Sequence, residues 1–288
     1  MYYYIYDSFL EKPKYRKILD RIEIRLADLG IAGETSKVRP LRNMEEIVLE
    51  GLSEDRSTII AVGNDHTFKK IANTVLNQNK KPLSKITLGL IPISKPNSIG
   101  EAIGAQIGEL ACDTISSRIV KLIDLGKINR EYFLTRALIG FGGRKQDLDK
   151  KGNFSLLRAL RYHPREIILD LDGKFQIRLD LFQAAFINLS SHKGADPCAN
   201  PEDGLLNIFV TSKYQKFSLT KNLKLADNEA YYSLPKTSIF QAKKVEVSSA
   251  AKKPFSVMAD NQKVGRTPVT IQAVPQKLRV IVGKTRMF

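Results

Sequence analysis

The chain has 288 residues, 43% of them apolar, and its 46 Lys and Arg against 30 Asp and Glu leave a net charge of +16. That apolar content suffices for buried cores in two ordinary domains or one large one, which excludes general disorder. The longest apolar runs, at 59–62 and 88–93, fall far short of the roughly 20 residues needed to cross a bilayer.

A first strand is expected at 2–6, because the apolar, tyrosine-rich start lacks both the basic head and the small-residue cleavage site of a secretory signal. Ile18, Leu19, Ile22, Ile24, Leu26 and Leu29 then recur close to helical spacing over 15–29, up to Gly30. A second helix is expected at 43–51, a β-branched strand at 58–62, a helix at 68–76, a strand at 87–91 and a helix at 99–111. This alternation implies a parallel sheet with crossover helices, and such sheets bind ligands beyond the carboxyl ends of their strands.

From about residue 115 the pattern changes to short β-rich segments at 118–124, 132–139, 165–171, 175–181, 184–188, 204–210, 238–247 and 255–258. Asp172-Gly173 is a hairpin turn signal. Helices are expected at 156–161 and from about 214–222 onward. The expected fold is α/β plus β: a Rossmann-like N-terminal domain over 1–114, to which 271–288 returns, and an antiparallel, β-sandwich-like domain over 115–270.

The charge disposes the chain towards polyanions without choosing among them. Basic residues come in scattered pairs, such as Lys80-Lys81 and Lys243-Lys244, so a solvated basic surface is the simpler reading and nucleic acid is disfavoured. Cys112 and Cys198 offer no CxxC or zinc-ligand spacing, which points to reduced thiols in a cytoplasmic setting. His163 and His192 sit in no catalytic motif and read as surface or structural residues.

The segment Val62-Gly63-Asn64-Asp65-His66-Thr67 lies between a strand and a helix, where backbone amides and a helix N-terminus receive phosphate oxygens. It resembles the GGDGT motif of the diacylglycerol kinase-like lipid kinase family, and Ile71-Ala72-Asn73 the helix that follows it. The segment 90–98, with Lys95 and Asn97, is similar to the family's IPLGTGND loop, and Ile123-Asp124-Leu125-Gly126-Lys127 to its IDLGK stretch. Glu202-Asp203-Gly204-Leu205-Leu206 resembles DDGLL, and Asp260-Asn261-Gln262 with Gly265-Arg266-Thr267-Pro268 resembles the DGE and GRTP pair.

The resemblance implies ATP-dependent phosphoryl transfer to a lipid hydroxyl, with ATP and Mg²⁺ as cofactors. It assigns nucleotide binding to Gly63, Asn64, Asp65, Thr67, Lys95 and Asn97, metal binding to Asn200, Asp203 and Leu205, and catalysis to Asp65, Asp124 and the base position at Gln262. Several residues depart from the pattern. Asn64 and His66 replace glycines, which implies strain near 1 kcal/mol where the turn needs left-handed backbone. The His66 ring is expected to crowd the phosphate space, Pro96 removes an amide donor, and Asp7-Ser8-Phe9 stands in place of an NPxSG-like turn. Gln262 replaces the glutamate expected to accept the hydroxyl proton, and an amide has no useful basicity near neutral pH.

Two functions follow: a lipid kinase of weak or altered activity, or a catalytically inactive homologue that binds a nucleotide, lipid or protein. NAD kinase is a weaker third. A nucleotide is the expected partner, a lipid or anionic membrane surface is a further one, the oligomeric state is open with a homodimer among its forms, and the location is cytoplasmic or peripheral at the membrane.

Overall fold

A computed structural model describes residues 1–40, 42–54, 56–95, 97–149, 153–190, 199–212, 218–250 and 253–288. Pro96, His192, Cys198 and the first residues of the helix expected from 214 lie outside them. The chain divides into two compact units, Met1–Ile123 with Gln276–Phe288, and Asp124–Pro275. The first unit thus takes in 115–123, which the sequence places with the second, and leaves out 271–275. The reasons are local. Ile115 joins the first unit's core, whereas Ile271 and Gln272 pair with Val245 and Lys244.

In the first unit, β1 (Tyr2–Tyr6), α1 (Arg16–Asp28), β2 (Glu34–Lys37), α2 (Met44–Ser53), β3 (Thr58–Gly63), α3 (Asp65–Asn77), β4 (Thr87–Pro92), α4 (Ser98–Ile103) and α5 (Leu110–Ser117) follow in order. The strands are parallel in the order β2-β1-β3-β4, and the end of the last strand, β16 (Val269–Ile281), completes the row through Arg279↔Thr87 and Val280↔Leu88. Tyr2, Tyr4, Tyr6, Ile60, Val62 and Ile91 pack with Ile22 and Leu26 of α1 and Cys112 and Ile115 of α5, while α2 and α3 pack on β1 and β3. Burial on both faces is why these strands read as near-continuous apolar runs.

The helix expected at 99–111 is instead two, because the chain takes positive φ at Gly104 (+76°) and Gly108 (+77°). Burial pushes the Cys112 thiol up to about 11, aided by the Asp113 charge, so it remains protonated at neutral pH.

The chain enters the second unit within β5 (Val120–Ile128), which pairs with β6 (Glu131–Phe133). Next come β7 (Arg136–Gly140), α6 (Leu156–Leu160), β8 (Arg165–Leu171), β9 (Phe175–Leu181), β10 (Gln183–Ile187), β11 (Leu206–Thr211), α7 (Leu219–Asp227), β12 (Thr237–Ala242), β13 (Lys244–Ser249), β14 (Ser256–Ala259) and β15 (Gln262–Arg266). One antiparallel sheet runs β12-β11-β10-β7-β14-β15, and β13, β8, β9 and the start of β16 form another antiparallel layer.

Ile167 and Leu169 of β8 and Val245 and Val247 of β13 meet Phe186, Ile208 and Ile139 of the six-stranded sheet in one core. Two antiparallel layers facing each other across such a core are β-sandwich-like packing. The expected strand at 238–247 is two, β12 and β13, which pair in different sheets. Tyr231 and Phe255 are core residues, whereas Tyr232 is 46% exposed. Among the described residues no helix is long and apolar enough to cross a membrane.

Candidate functional site

In the first unit the site is built where β1, β3 and β4 end. Their register pairs Tyr6 with Val62 and Gly63 with Pro92, so the turns that follow the three strands emerge side by side. The Asp7 amide donates to the Val62 carbonyl (3.1 Å) and the Ile93 amide to the Gly63 carbonyl (2.8 Å).

Asn64 is extended (φ −132°) and caps α3: its Oδ1 accepts the Thr67 amide, and Thr67 Oγ1 accepts the Asn64 amide, both at 3.1 Å. This capping box satisfies helix donors from within the chain. Neither Asn64 nor His66 takes positive φ, so the strain expected from losing two glycines is not incurred. Gly63 is needed for space instead, since a Cβ there would stand 2.3 Å from Thr67 Oγ1. His66 lies in the first turn of α3 with an exposed side chain. Partial desolvation, with Lys70 and Lys69 nearby, holds its imidazole below the ordinary value despite the opposing Asp7 carboxylate.

Asp65 joins two loops. Its Oδ2 accepts the Ser98 amide at 2.7 Å and its Oδ1 the Ile99 amide at 3.1 Å, which anchors the start of α4 to the start of α3. Asn97 is buried and its Nδ2 donates to the Ala105 carbonyl at 3.4 Å, so it organises the turn after α4. Lys95 is exposed on the same loop. Sequence reasoning missed Asp7, whose Oδ2 accepts a hydrogen bond from Thr67 Oγ1 at 2.6 Å. Its position one residue beyond a parallel strand was the available signal. Asp7 thereby sets a carboxylate at the electropositive end of α3, which satisfies that dipole and opposes a polyphosphate, whereas both Asp65 oxygens are engaged by amides of the neighbouring loop.

In the second unit Asp124 is fully buried and meets the Asn200–Leu205 turn. Its Oδ2 accepts the Gly204 amide, and its own amide donates to the Pro201 carbonyl, both at 2.6 Å. Asn188, also missed from the sequence, donates through Nδ2 to the carbonyls of Asp124 (3.0 Å) and Leu134 (2.8 Å). Asn200 Oδ1 accepts the Glu202 amide at 3.1 Å and Asp203 Oδ1 the Leu205 amide at 2.9 Å.

The donor set assigned to a metal is therefore one exposed carboxylate with its Oδ1 already engaged, plus the carbonyls of Asn200 and Leu205. An all-oxygen set of low charge fits magnesium that keeps several waters. Among the described residues no group of three or more His, Cys, Asp or Glu could hold a metal.

Gln262 opens β15, two residues after Asp260. The Asp260 carboxylate accepts the Leu134 amide (2.9 Å), the Thr135 amide and hydroxyl (3.0 and 2.7 Å) and the Arg136 amide (3.3 Å). The one acid next to Gln262 in sequence is thus committed to holding backbone. Asp65 belongs to the first unit, and Asp124, Asp203 and Gln262 to the second.

Residues 152–282 match the YegS C-terminal NAD kinase β-sandwich-like domain. The chain is similar to a diacylglycerol kinase of Staphylococcus carnosus (strain TM300), 23% identical over 97% of this chain and 94% of that protein. A diacylglycerol kinase of Bacillus subtilis (strain 168) is 24% identical over 73% of each chain. Among solved structures, a diacylglycerol kinase from Bacillus anthracis str. Sterne superposes with a TM-score of 0.75 at 16% identity, over 98% of this chain and 97% of that one.

Proposed function

We propose that the chain, which is similar to diacylglycerol kinases over nearly its whole length and matches the YegS C-terminal domain over 152–282, is a lipid kinase of that kind, binds ATP at the turn after β3 and transfers the γ-phosphoryl group to a lipid hydroxyl at a low rate. The observation that carries this reading is the Asp65 carboxylate bridging the β3–α3 turn and the β4–α4 loop. Such a tie pre-positions two phosphate-facing loops before a nucleotide arrives, and phosphoryl transfer depends mainly on positioning and charge stabilisation.

In this reading Gly63, Asn64 and Thr67 shape the turn, Asn97 holds the second loop, and the Lys95 ammonium offsets phosphate charge. Asp203, with the carbonyls of Asn200 and Leu205, would hold magnesium, which supplies positive charge for the phosphate oxygens. Asp124 positions that turn through the Gly204 amide. Gln262 can orient a hydroxyl by hydrogen bonding but takes up no proton.

The second reading, a binding protein without turnover, is favoured by Gln262, whose amide takes up no proton. Magnesium-dependent ATP turnover with diacylglycerol in mixed micelles separates the two. Slow turnover abolished by Asp65→Ala supports the kinase. A nucleotide-induced thermal shift without turnover supports the binding protein, and the absence of both removes the nucleotide from either reading. Asp7→Asn is expected to tighten ATP binding about threefold to tenfold by removing a carboxylate from the helix terminus, as read by calorimetry.

A further inference from the structure

The second unit carries a recess of about 430 Å³ that shares no residue with the nucleotide loops, the Asp124–Asp203 turn or Gln262. Arg144, Arg161, His163, Arg165, Lys253 and Arg266 line it, and among the described residues no carboxylate does.

Two of these cations are held in place. The Arg165 guanidinium lies 4.2 Å from the centre of the buried Phe255 ring, and its Nη1 donates to the Lys253 carbonyl at 3.0 Å. Arg144 is bound through Nε and Nη2 by the buried Asp147 carboxylate (3.2 and 2.7 Å), which neutralises it. Arg161, Arg165, Lys253 and Arg266, by contrast, form no ion pair among the described residues, although they surround one concavity. Gathering like charges without counter-charge is unfavourable and raises the local concentration of anions. A guanidinium fork fixed against a ring matches the oxygens of a phosphate with little ordering cost.

We propose that this recess binds a phosphate-bearing anion, at a site separate from the one proposed for ATP. The phosphate could belong to a soluble ester or to a phospholipid headgroup. Leu156, Leu157 and Leu160, exposed by 40%, 69% and 51% on the helix that runs directly into Arg161, supply apolar surface beside the cations.

The test uses the full chain and two exposed, unpaired positions, in the double variant Arg161→Gln/Arg266→Gln. A charge-matched control, Lys17→Gln/Lys85→Gln, removes the same charge from the first unit. Inorganic phosphate and glycerol phosphate are titrated by calorimetry, and flotation is measured with phosphatidylcholine vesicles with and without phosphatidylglycerol. Thermal melting confirms that both variants fold.

Loss of two charge-assisted hydrogen-bonding groups is expected to weaken binding by about tenfold or more, and the control by less than about twofold. Titratable binding of the small anions that the double variant loses supports a soluble ester. Flotation only with phosphatidylglycerol, lost in the double variant, supports a headgroup. Absence of binding to every probe, or equal weakening in double variant and control, overturns the site and leaves general electrostatic attraction.

Discussion

Gln262 carries an amide where removal of a proton from a lipid hydroxyl calls for a base, and Asp260 cannot stand in because its carboxylate accepts three backbone amides and a hydroxyl. Restoring a carboxylate by Gln262→Glu is therefore expected to raise kcat with diacylglycerol by about 10²-fold. An unchanged kcat in single-turnover measurements would place the base elsewhere. A different residue governs pH dependence. Burial pushes the Asp227 carboxyl up to about 6, against the Phe154 amide at 2.8 Å and the Arg136 guanidinium, which both pull it down. Between about pH 4 and 6 the folded chain keeps a proton that the unfolded chain has released, so this group's contribution to stability falls as pH rises through that window. Asp227→Asn is expected to raise Tm at neutral pH and leave it nearly unchanged near pH 4. Equal shifts at both would refute the assignment.

Elements in this chain are joined by single side chains at their ends. Asp65 fastens α4 to α3, and Asn64 with Thr67 closes the first turn of α3, so the rigidity of the proposed phosphate-facing loops comes from polar groups that otherwise would face a ligand. The Asp260 clamp does the same in the second unit, fastening the β14–β15 turn to Leu134 and Thr135 between β6 and β7 and to Arg136, the first residue of β7. Asp260→Ala leaves several amides without acceptors and is expected to cost about 2–4 kcal/mol in urea denaturation. A loss under about 0.5 kcal/mol would mean that water replaces the carboxylate.

At the scale of the whole molecule, the first unit is discontinuous in sequence and takes in the last residues of the chain. Leu278, Val280, Ile281 and Val282 are buried, and Arg279 and Val280 pair with Thr87 and Leu88 of β4. Each such side chain contributes about 1.5–3 kcal/mol by burial, so together they rival the entire stability of a typical domain. A chain ending at Pro275 is expected to lose the cooperative thermal transition of the first unit. If circular dichroism shows that transition intact, the terminal strand is dispensable.

The sequence by itself determined the class of each half, because hydrophobic periodicity reports local geometry: β8 and β9 fall at their expected bounds of 165–171 and 175–181. Ordered motif segments likewise carried the resemblance to diacylglycerol kinase-like lipid kinases. The breaks at Gly104 and Gly108 and the division of 238–247 between two sheets were less legible, since positive φ at a glycine and the choice of pairing partner are settled by the neighbours. For the site, the sequence supplied Gly63, Asp65, Thr67, Asn97, Asp124 and Asp203 as positions of interest, and only tertiary structure decided what their atoms do. Asp7 and Thr67 are 60 residues apart, Asp65 and Ser98 are 33, and Asp124 and Gly204 are 80. Hydrogen bonds across such distances exist only once buried strands have brought their ends together, because burial supplies the free energy that offsets the entropy of closing the loops between them.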